Sequence, residues 1–224
     1  KIFSFGDSQF GKNADSILVE YEFNDNLGEH IVNIDNQVIS FPTKIGGRHR
    51  ILNLSAILLI CKILDLDLHK AAAKFIELQE PKGRGQISNI LYNGNSCVII
   101  DDAYNAGPTA MGESLKHFKN LNHKYKTAIL GDMRELGAKE IEYHTALLPQ
   151  IIDTNLNKLH TVGVLMHELY KILPEEIKGK HFADYKEVEA KLGEIIDRDM
   201  MVLLKASKGV KLWYIADLLT KDNR

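Results

Sequence analysis

SCVIIDDAYNAGPTAM, Ser96–Met111, is the stretch whose reading decides the fold. Its first part, Ser96–Ile100, is a short apolar run with β-branched residues, which reads as a strand buried on both faces. The run stops at two carboxylates, Asp101 and Asp102. Pro108 then opens a helical stretch to Asn120, because its fixed φ and missing N–H suit the first turn of a helix. Strand, polar loop and helix make one unit, and the unit recurs outward along the chain. Apolar runs at Thr127–Leu130, Leu159–Val164 and Met201–Leu204 alternate with helical stretches at Ala138–Asp153, Lys186–Ile196 and Val210–Leu219. That alternation predicts βαβ units with right-handed crossovers. The fold class is therefore α/β, a small doubly wound domain with a parallel sheet covered on both faces.

Such sheets bind ligands beyond the carboxyl ends of their strands. Here those ends are polar: Asp101–Thr109 after one strand, Gly131–Gly137 after another and Lys205–Gly209 after the last. Three polar clusters at one edge predict a crevice for an oxygen-rich ligand. Carboxylates would meet amines, hydroxyls or magnesium, and lysines would meet an anion.

Upstream the pattern differs. Ser16–Phe23 and His30–Phe41 read as two strands, and the turn Asn24–Gly28 between them predicts an antiparallel hairpin. A well-buried helix is expected from near Arg50, and a second over His69–Leu78. Glu80–Gln86 holds a proline and two glycines and marks a break. The expected division is residues 1–81 and 82–224. One stretch of the first part, GDSQFGKN at Gly6–Asn13, approaches the phosphate-loop pattern. It lacks the hydroxyl that holds magnesium, since Asn13 stands there, and Ser16–Phe23 reads as strand where a helix is required. It is read as a turn between strands.

The 224 residues are 45% hydrophobic and 26% charged, which suits an ordinary globular protein with a real core. A net charge of −2 gives no electrostatic case for nucleic acid or acidic membranes. The longest apolar runs are too short to span a bilayer. Cys61 and Cys97 fall in apolar patterns and are expected to be buried free thiols in a reducing compartment. No His, Cys or acidic residues show metal-ligand spacing. The chain starts at Lys1 with no Met and no leader, so a carboxyl-terminal piece of a longer protein is expected.

IIDDAYNAGPTAM (Ile99–Met111) and AILGDMRELG (Ala128–Gly137), with His144 downstream, resemble segments of a Mur ligase. GGRHRILNLSA, from Gly46, resembles the GxHNxxNxLAA motif of that family. Gly83-Arg84 resembles the pair that opens its C-terminal domain, and LLKASKG, from Leu203, its terminal VKGSR. The resemblance runs in order over nearly the whole chain. It implies a C-terminal Rossmann-like doubly wound domain, preceded by the end of a central ATPase domain made of a β-hairpin and helices. The phosphate loop would lie further upstream.

The implied activity is an ATP-dependent amide ligase of peptidoglycan-precursor synthesis in the cytoplasm. It would join D-alanyl-D-alanine to UDP-N-acetylmuramoyl-tripeptide through an acyl phosphate, with Mg2+ held mainly by upstream sequence. The chain alone is expected to be inactive, and a monomer that binds neither nucleic acid nor membrane. The alternative is a non-catalytic binding or interaction module on the same fold.

The resemblance also assigns roles. His49 and Asn53 would contact ATP, the Asn53 amide offering the donor and acceptor that an adenine edge requires. The Arg84 guanidinium fork suits an ATP phosphate. Asp102 would hold the ribose hydroxyls, and as a strand-end residue it is expected to tolerate truncation without loss of fold. Asp101 would point to the opposite side as a structural residue. Tyr104, Asn105 and Thr109 would line the substrate site. Asp132 and Glu135 would hold the D-alanyl-D-alanine ammonium. Lys205 and Ser207, with Lys208, would meet a carboxylate or phosphate. His144 is expected to pack or to bond a loop. Three positions depart from the family pattern: Arg50, which would clash with or stack on adenine, Gly107 and Ala206.

Overall fold

The computed structural model describes residues 2–9, 11, 13–24 and 27–221. The chain divides into two units, the first ending at Glu80 and the second beginning at Pro81.

The first unit is a four-stranded sheet with two helices. β1 (Phe5–Asp7) runs parallel to β2 (Ser16–Asn24). β2, β3 (Leu27–Ile34) and β4 (Gln37–Thr43) follow as an antiparallel meander. Side chains alternate along β3 and β4, so Val32, Ile34, Ile39 and Phe41 reach one face. There they pack with Leu18, with Ile51, Leu54 and Leu58 of α1 (Arg48–Ile63), and with Leu68 and Ala72 of α2 (Leu68–Ala73).

The expected single strand over His30–Phe41 is instead two strands of a hairpin. Asp35 and Asn36 both have positive φ, 50° and 65°. That geometry matches the two-residue turn whose twist suits paired strands. The expected helix over His69–Leu78 stays α-helical to Ala73 and tightens to a 3-10 turn at Lys74–Glu77. The stretch after Gly6–Asn13 is strand, as expected, although Phe10 and Lys12 of that stretch lie outside the described residues. So do Asp25 and Asn26 of the turn before Gly28.

The second unit is doubly wound. β5 (Gln86–Tyr92) pairs antiparallel with β6 (Asn95–Asp101). Next come α3 (Pro108–Asn120), β7 (Lys126–Gly131), α4 (Glu140–Thr145), α5 (Leu148–Asp153) and β8 (Lys158–Val162). The chain continues through α6 (Val164–Lys171), β9 (Lys178–Phe182), α7 (Tyr185–Ala190), α8 (Leu192–Ile195), β10 (Met200–Lys205) and α9 (Leu212–Lys221). The strand order is β5-β6-β10-β7-β8-β9, and all neighbours from β6 to β9 are parallel.

β10 is buried along its whole length, and its residues divide between two cores. Val202 and Leu204 pack with Ile99, Ile129, Ile215 and Leu219 on the α9 side. Met201 and Leu203 pack with Ile100, Met111, Phe118 and Leu130 on the α3 side. Burial on both faces is why this strand reads as an unbroken apolar run.

Three elements of this unit escape the sequence reading: β5, α6 and β9. β5 and β9 are the edge strands, and at β9 only Phe182 is buried. The helix expected over Ala138–Asp153 breaks into α4 and α5, with Pro149 in the first turn of α5. That expected over Lys186–Ile196 breaks into α7 and α8.

Candidate functional site

Because β10 lies between β6 and β7, the loops leaving the carboxyl ends of these three strands adjoin. Along β6 successive side chains alternate between faces, and Asp102 continues the series of Val98 and Ile100. It therefore meets α3. Its Oδ2 accepts from Ser114 Oγ at 2.7 Å and from Lys205 Nζ at 2.8 Å. Lys205 also donates to the Asn105 carbonyl at 3.2 Å. Lys205 is 3% exposed and Asp102 9%, so this is a buried, hydrogen-bonded ion pair.

Two expectations change here. The carboxylate that Lys205 meets is that of Asp102. Truncating Asp102 would leave the Lys205 ammonium buried without its counter-charge, so a tolerated truncation is no longer expected.

Ser207 ties the three loops together. Its N–H donates to the Asp132 carbonyl at 3.0 Å. Its hydroxyl accepts from the Arg134 N–H at 2.9 Å and donates to the Ala106 carbonyl at 3.3 Å. Its hydroxyl is thus engaged by backbone groups, and Ser207 is 4% exposed. Asp132 is also engaged locally. Its Oδ1 accepts from the Met166 N–H at 2.8 Å, in the first turn of α6. Gly163 precedes that helix with φ 103° and has no side chain to cap it. A Cβ there would collide with the Asp132 carboxylate, so the two residues fit only as a pair. His144 is fully buried. Its Nε2 accepts from the Met133 N–H at 2.9 Å and its Nδ1 lies 2.6 Å from the Glu140 carbonyl, which places the ring proton on Nδ1. It bonds a loop, as expected.

The exposed groups lie around Tyr104. Arg84 Cζ stands 4.3 Å from the Tyr104 ring centroid and Lys208 Nζ 5.5 Å, while Tyr104 is 42% exposed. The approach is set by Gly83, at φ 73°, whose carbonyl accepts from the Tyr104 N–H at 2.9 Å. Two cations flanking one aromatic ring give a surface suited to an anion beside a flat group. Asn105, Thr109 and Glu135 are exposed, and the Asn105 Oδ1 accepts from the Ala106 N–H. The predicted residues of this unit thus form two groups. Asp102, Asp132, Lys205 and Ser207 are a buried frame, and Arg84, Tyr104, Asn105, Thr109, Glu135 and Lys208 are accessible. Ser114 was missed, because only the contact of α3 with the end of β6 reveals it.

In the first unit, His49 and Asn53 sit one turn apart on α1, His49 half-buried and Asn53 exposed. Arg50 is bonded within the first unit. Its Nη1 donates to the Gly46 carbonyl at 2.7 Å and to Glu80 at 2.8 Å. Arg48, beside His49, pairs with Asp7 at 2.7 Å and holds that carboxyl below its usual range. The other two departures are accommodated. Gly107 has extended backbone at φ −148°, and Ala206 is fully buried against Gly131. Among the described residues no group of three or more His, Cys, Asp or Glu side chains is placed to hold a metal ion. No helix among them is long and apolar enough to cross a membrane.

Residues 83–208, from the Gly83–Arg84 turn to Lys208, match the family described as Mur ligase, glutamate ligase domain. The chain belongs to the Mur ligase family. It is 34% identical over 219 residues to the UDP-N-acetylmuramoyl-tripeptide--D-alanyl-D-alanine ligase of Rickettsia prowazekii, covering 96% of this chain and 46% of that protein. The ligase of the same name from Bacillus subtilis is 27% identical, covering 77% and 38%. The chain thus spans less than half the length of these relatives. Among solved structures, MurF from Acinetobacter baumannii superposes with a TM-score of 0.81 at 21% identity, over 99% of this chain and 47% of that one. MurF from Thermotoga maritima, solved with ADP, gives 0.77 at 21% identity over 98% and 48%. Both share its fold.

Proposed function

We propose that this chain serves as part of an ATP-dependent amide ligase that joins D-alanyl-D-alanine to UDP-N-acetylmuramoyl-tripeptide, a step of peptidoglycan-precursor synthesis in the cytoplasm. The observation that carries this reading is the meeting of the three ligase-like segments at the adjoining ends of β6, β7 and β10. In this reading the second unit is the C-terminal domain, and the first is the end of the central ATPase domain.

The tripeptide carboxylate attacks the ATP γ-phosphate, and ADP leaves. The dipeptide amine then attacks the acyl phosphate at carbon through a tetrahedral intermediate. Phosphate departs and the amine loses a proton. Arg84 and Lys208 beside Tyr104 would hold the phosphates, and Asp102, kept in place by Lys205 and Ser114, would accept from the ribose hydroxyls. Asn105, Thr109 and Glu135 are the accessible groups for the dipeptide, Glu135 for its ammonium. Asp132 and Ser207 would set the loops rather than touch it. His49 and Asn53 would face the adenine. Mg2+ would accompany the ATP phosphates, and the described residues offer it no cluster of their own. The working form would be a monomer.

The test is phosphate release by the complete protein with ATP, UDP-N-acetylmuramoyl-tripeptide and D-alanyl-D-alanine, each omitted in turn. Release that needs all three supports the proposal. Release indifferent to the dipeptide overturns it.

A further inference from the structure

Across the sheet from the Asp102–Lys205 pair lies a cavity of about 630 Å3 between β5 and α9. Its walls include Gln86, Ser88 and Ile90 of β5, Asp101 of β6, and Asp217 and Lys221 of α9. Asp101 reaches it because Cys97, Ile99 and Asp101 alternate onto the face opposite Asp102. Gln86 is the register partner of Asp101, so the two side chains share that face.

The charges in this cavity are unevenly satisfied. Asp217 is paired closely by Lys82, at 2.5 and 2.7 Å to its two oxygens. Lys221 stands 3.9 Å from Asp217 and its side chain is 72% exposed, so its ammonium is barely engaged. Asp101 is 5% exposed, yet its Oδ1 accepts only from the Ala103 N–H at 3.2 Å and its Oδ2 has no hydrogen-bond donor among the described residues. Burial, then the nearby Asp217 and Asp102, push this carboxyl up to about 6. A buried carboxyl with a spare oxygen is costly unless something donates to it. Among the described residues, the floor therefore offers an acceptor without a donor, and the rim a cation without a close anion.

We propose that this cavity binds a small zwitterion, a primary ammonium carrying an acid group a few bonds away, as in an amino acid or the amino-terminal end of a short peptide. The ammonium sits on Asp101, with Gln86 and Ser88 supplying further side-chain oxygens. The acid group reaches Lys221. Among the described residues the charged lining balances, two carboxyls against two lysines, so a ligand of no net charge leaves it balanced. The volume holds an amino acid or a dipeptide. The site lies on the opposite face from the Asp102 group and does not depend on the ligase reading.

The experiment is an NMR titration of the whole chain, following the Asp101 carboxyl carbon and the Gln86–Ile90 amides. The probes are glycine, glycylglycine, methylammonium and acetate. Saturable shifts with glycine or glycylglycine, weaker ones with methylammonium and none with acetate are expected. A response to glycine points to free amino acids as the ligand, and a response to the dipeptide alone points to peptide ends. Asp101→Asn, of unchanged shape, should weaken the zwitterion about tenfold or more, and Lys221→Ala should weaken it while leaving methylammonium unchanged. No saturable shift up to about 100 mM with any amine, which bounds Kd far above 1 mM, overturns the proposal. Equal binding by folded Asp101→Asn also overturns it.

Discussion

Lys205 Nζ lies 2.8 Å from Asp102 Oδ2, Lys205 ending β10 and Asp102 directly following the neighbouring β6, and the two residues are 103 positions apart in the chain. Both are almost wholly buried. Removing one partner of such a pair costs about 3–5 kcal/mol, because the other charge stays buried. Lys205→Met should therefore destabilise the second unit by about that amount. Lys205→Met with Asp102→Leu should recover most of it. Denaturant unfolding of both variants and of Asp102→Leu gives the coupling. Additive losses would show that the pair contributes nothing as a pair.

His30 predicts how the first unit responds to acid. It is fully buried between Tyr21 and Phe41, neither ring nitrogen has a hydrogen-bond partner among the described residues, and burial holds it down at about 4. The folded value lies below the ordinary 6.5, so the unfolded chain takes up the proton first. Its contribution is full above 6.5 and is lost as pH falls through 4, about 3 kcal/mol in all. In the second unit His160, also about 4, acts in the same direction, but Asp101 at about 6 acts in the opposite one. A raised carboxyl favours the folded state at low pH and loses that contribution as pH rises through 6. The first unit should thus loosen first between pH 6.5 and 4. Amide exchange in β2–β4, against Trp213 fluorescence for the second unit, is the check. His30→Phe should flatten the loss.

Ser207→Ala removes one acceptor and one donor that join two loops. A loss of about 1–3 kcal/mol is expected. The Arg134 amide, which the hydroxyl holds, should exchange faster with solvent, while the Met133 amide, held by His144, should not. Equal acceleration at both would mean general loosening and no specific tie.

Asp132→Ala should cost about 0.5–2 kcal/mol, the range for losing a helix cap, and Asp132→Asn much less, since an amide oxygen still accepts. The readout is thermal unfolding together with exchange at the Met166 amide. Equal effects of both substitutions would contradict the capping assignment.

The strand and helix alternation after Ser96 was legible because central parallel strands are apolar throughout. β9 was not, since KGKHF places only Phe182 in the core and an edge strand needs little more. The Asp35–Asn36 turn was hidden because alternation continues across it, from Val32 and Ile34 to Ile39 and Phe41. The polar residue types at the strand ends pointed to loops that do adjoin in the fold. What stayed hidden was which of those residues serve each other. Lys205 meets Asp102 only because β10 inserts between β6 and β7, and sequence order does not carry strand order.

The most direct test follows oxygen. In the proposed reaction ATP activates the tripeptide carboxylate as an acyl phosphate, so one carboxylate oxygen leaves with the phosphate. With UDP-N-acetylmuramoyl-tripeptide labelled with oxygen-18 in that carboxylate, the complete protein and D-alanyl-D-alanine should release phosphate that carries the label. Mass spectrometry of the phosphate reads it. Amide product formed with unlabelled phosphate would contradict the account.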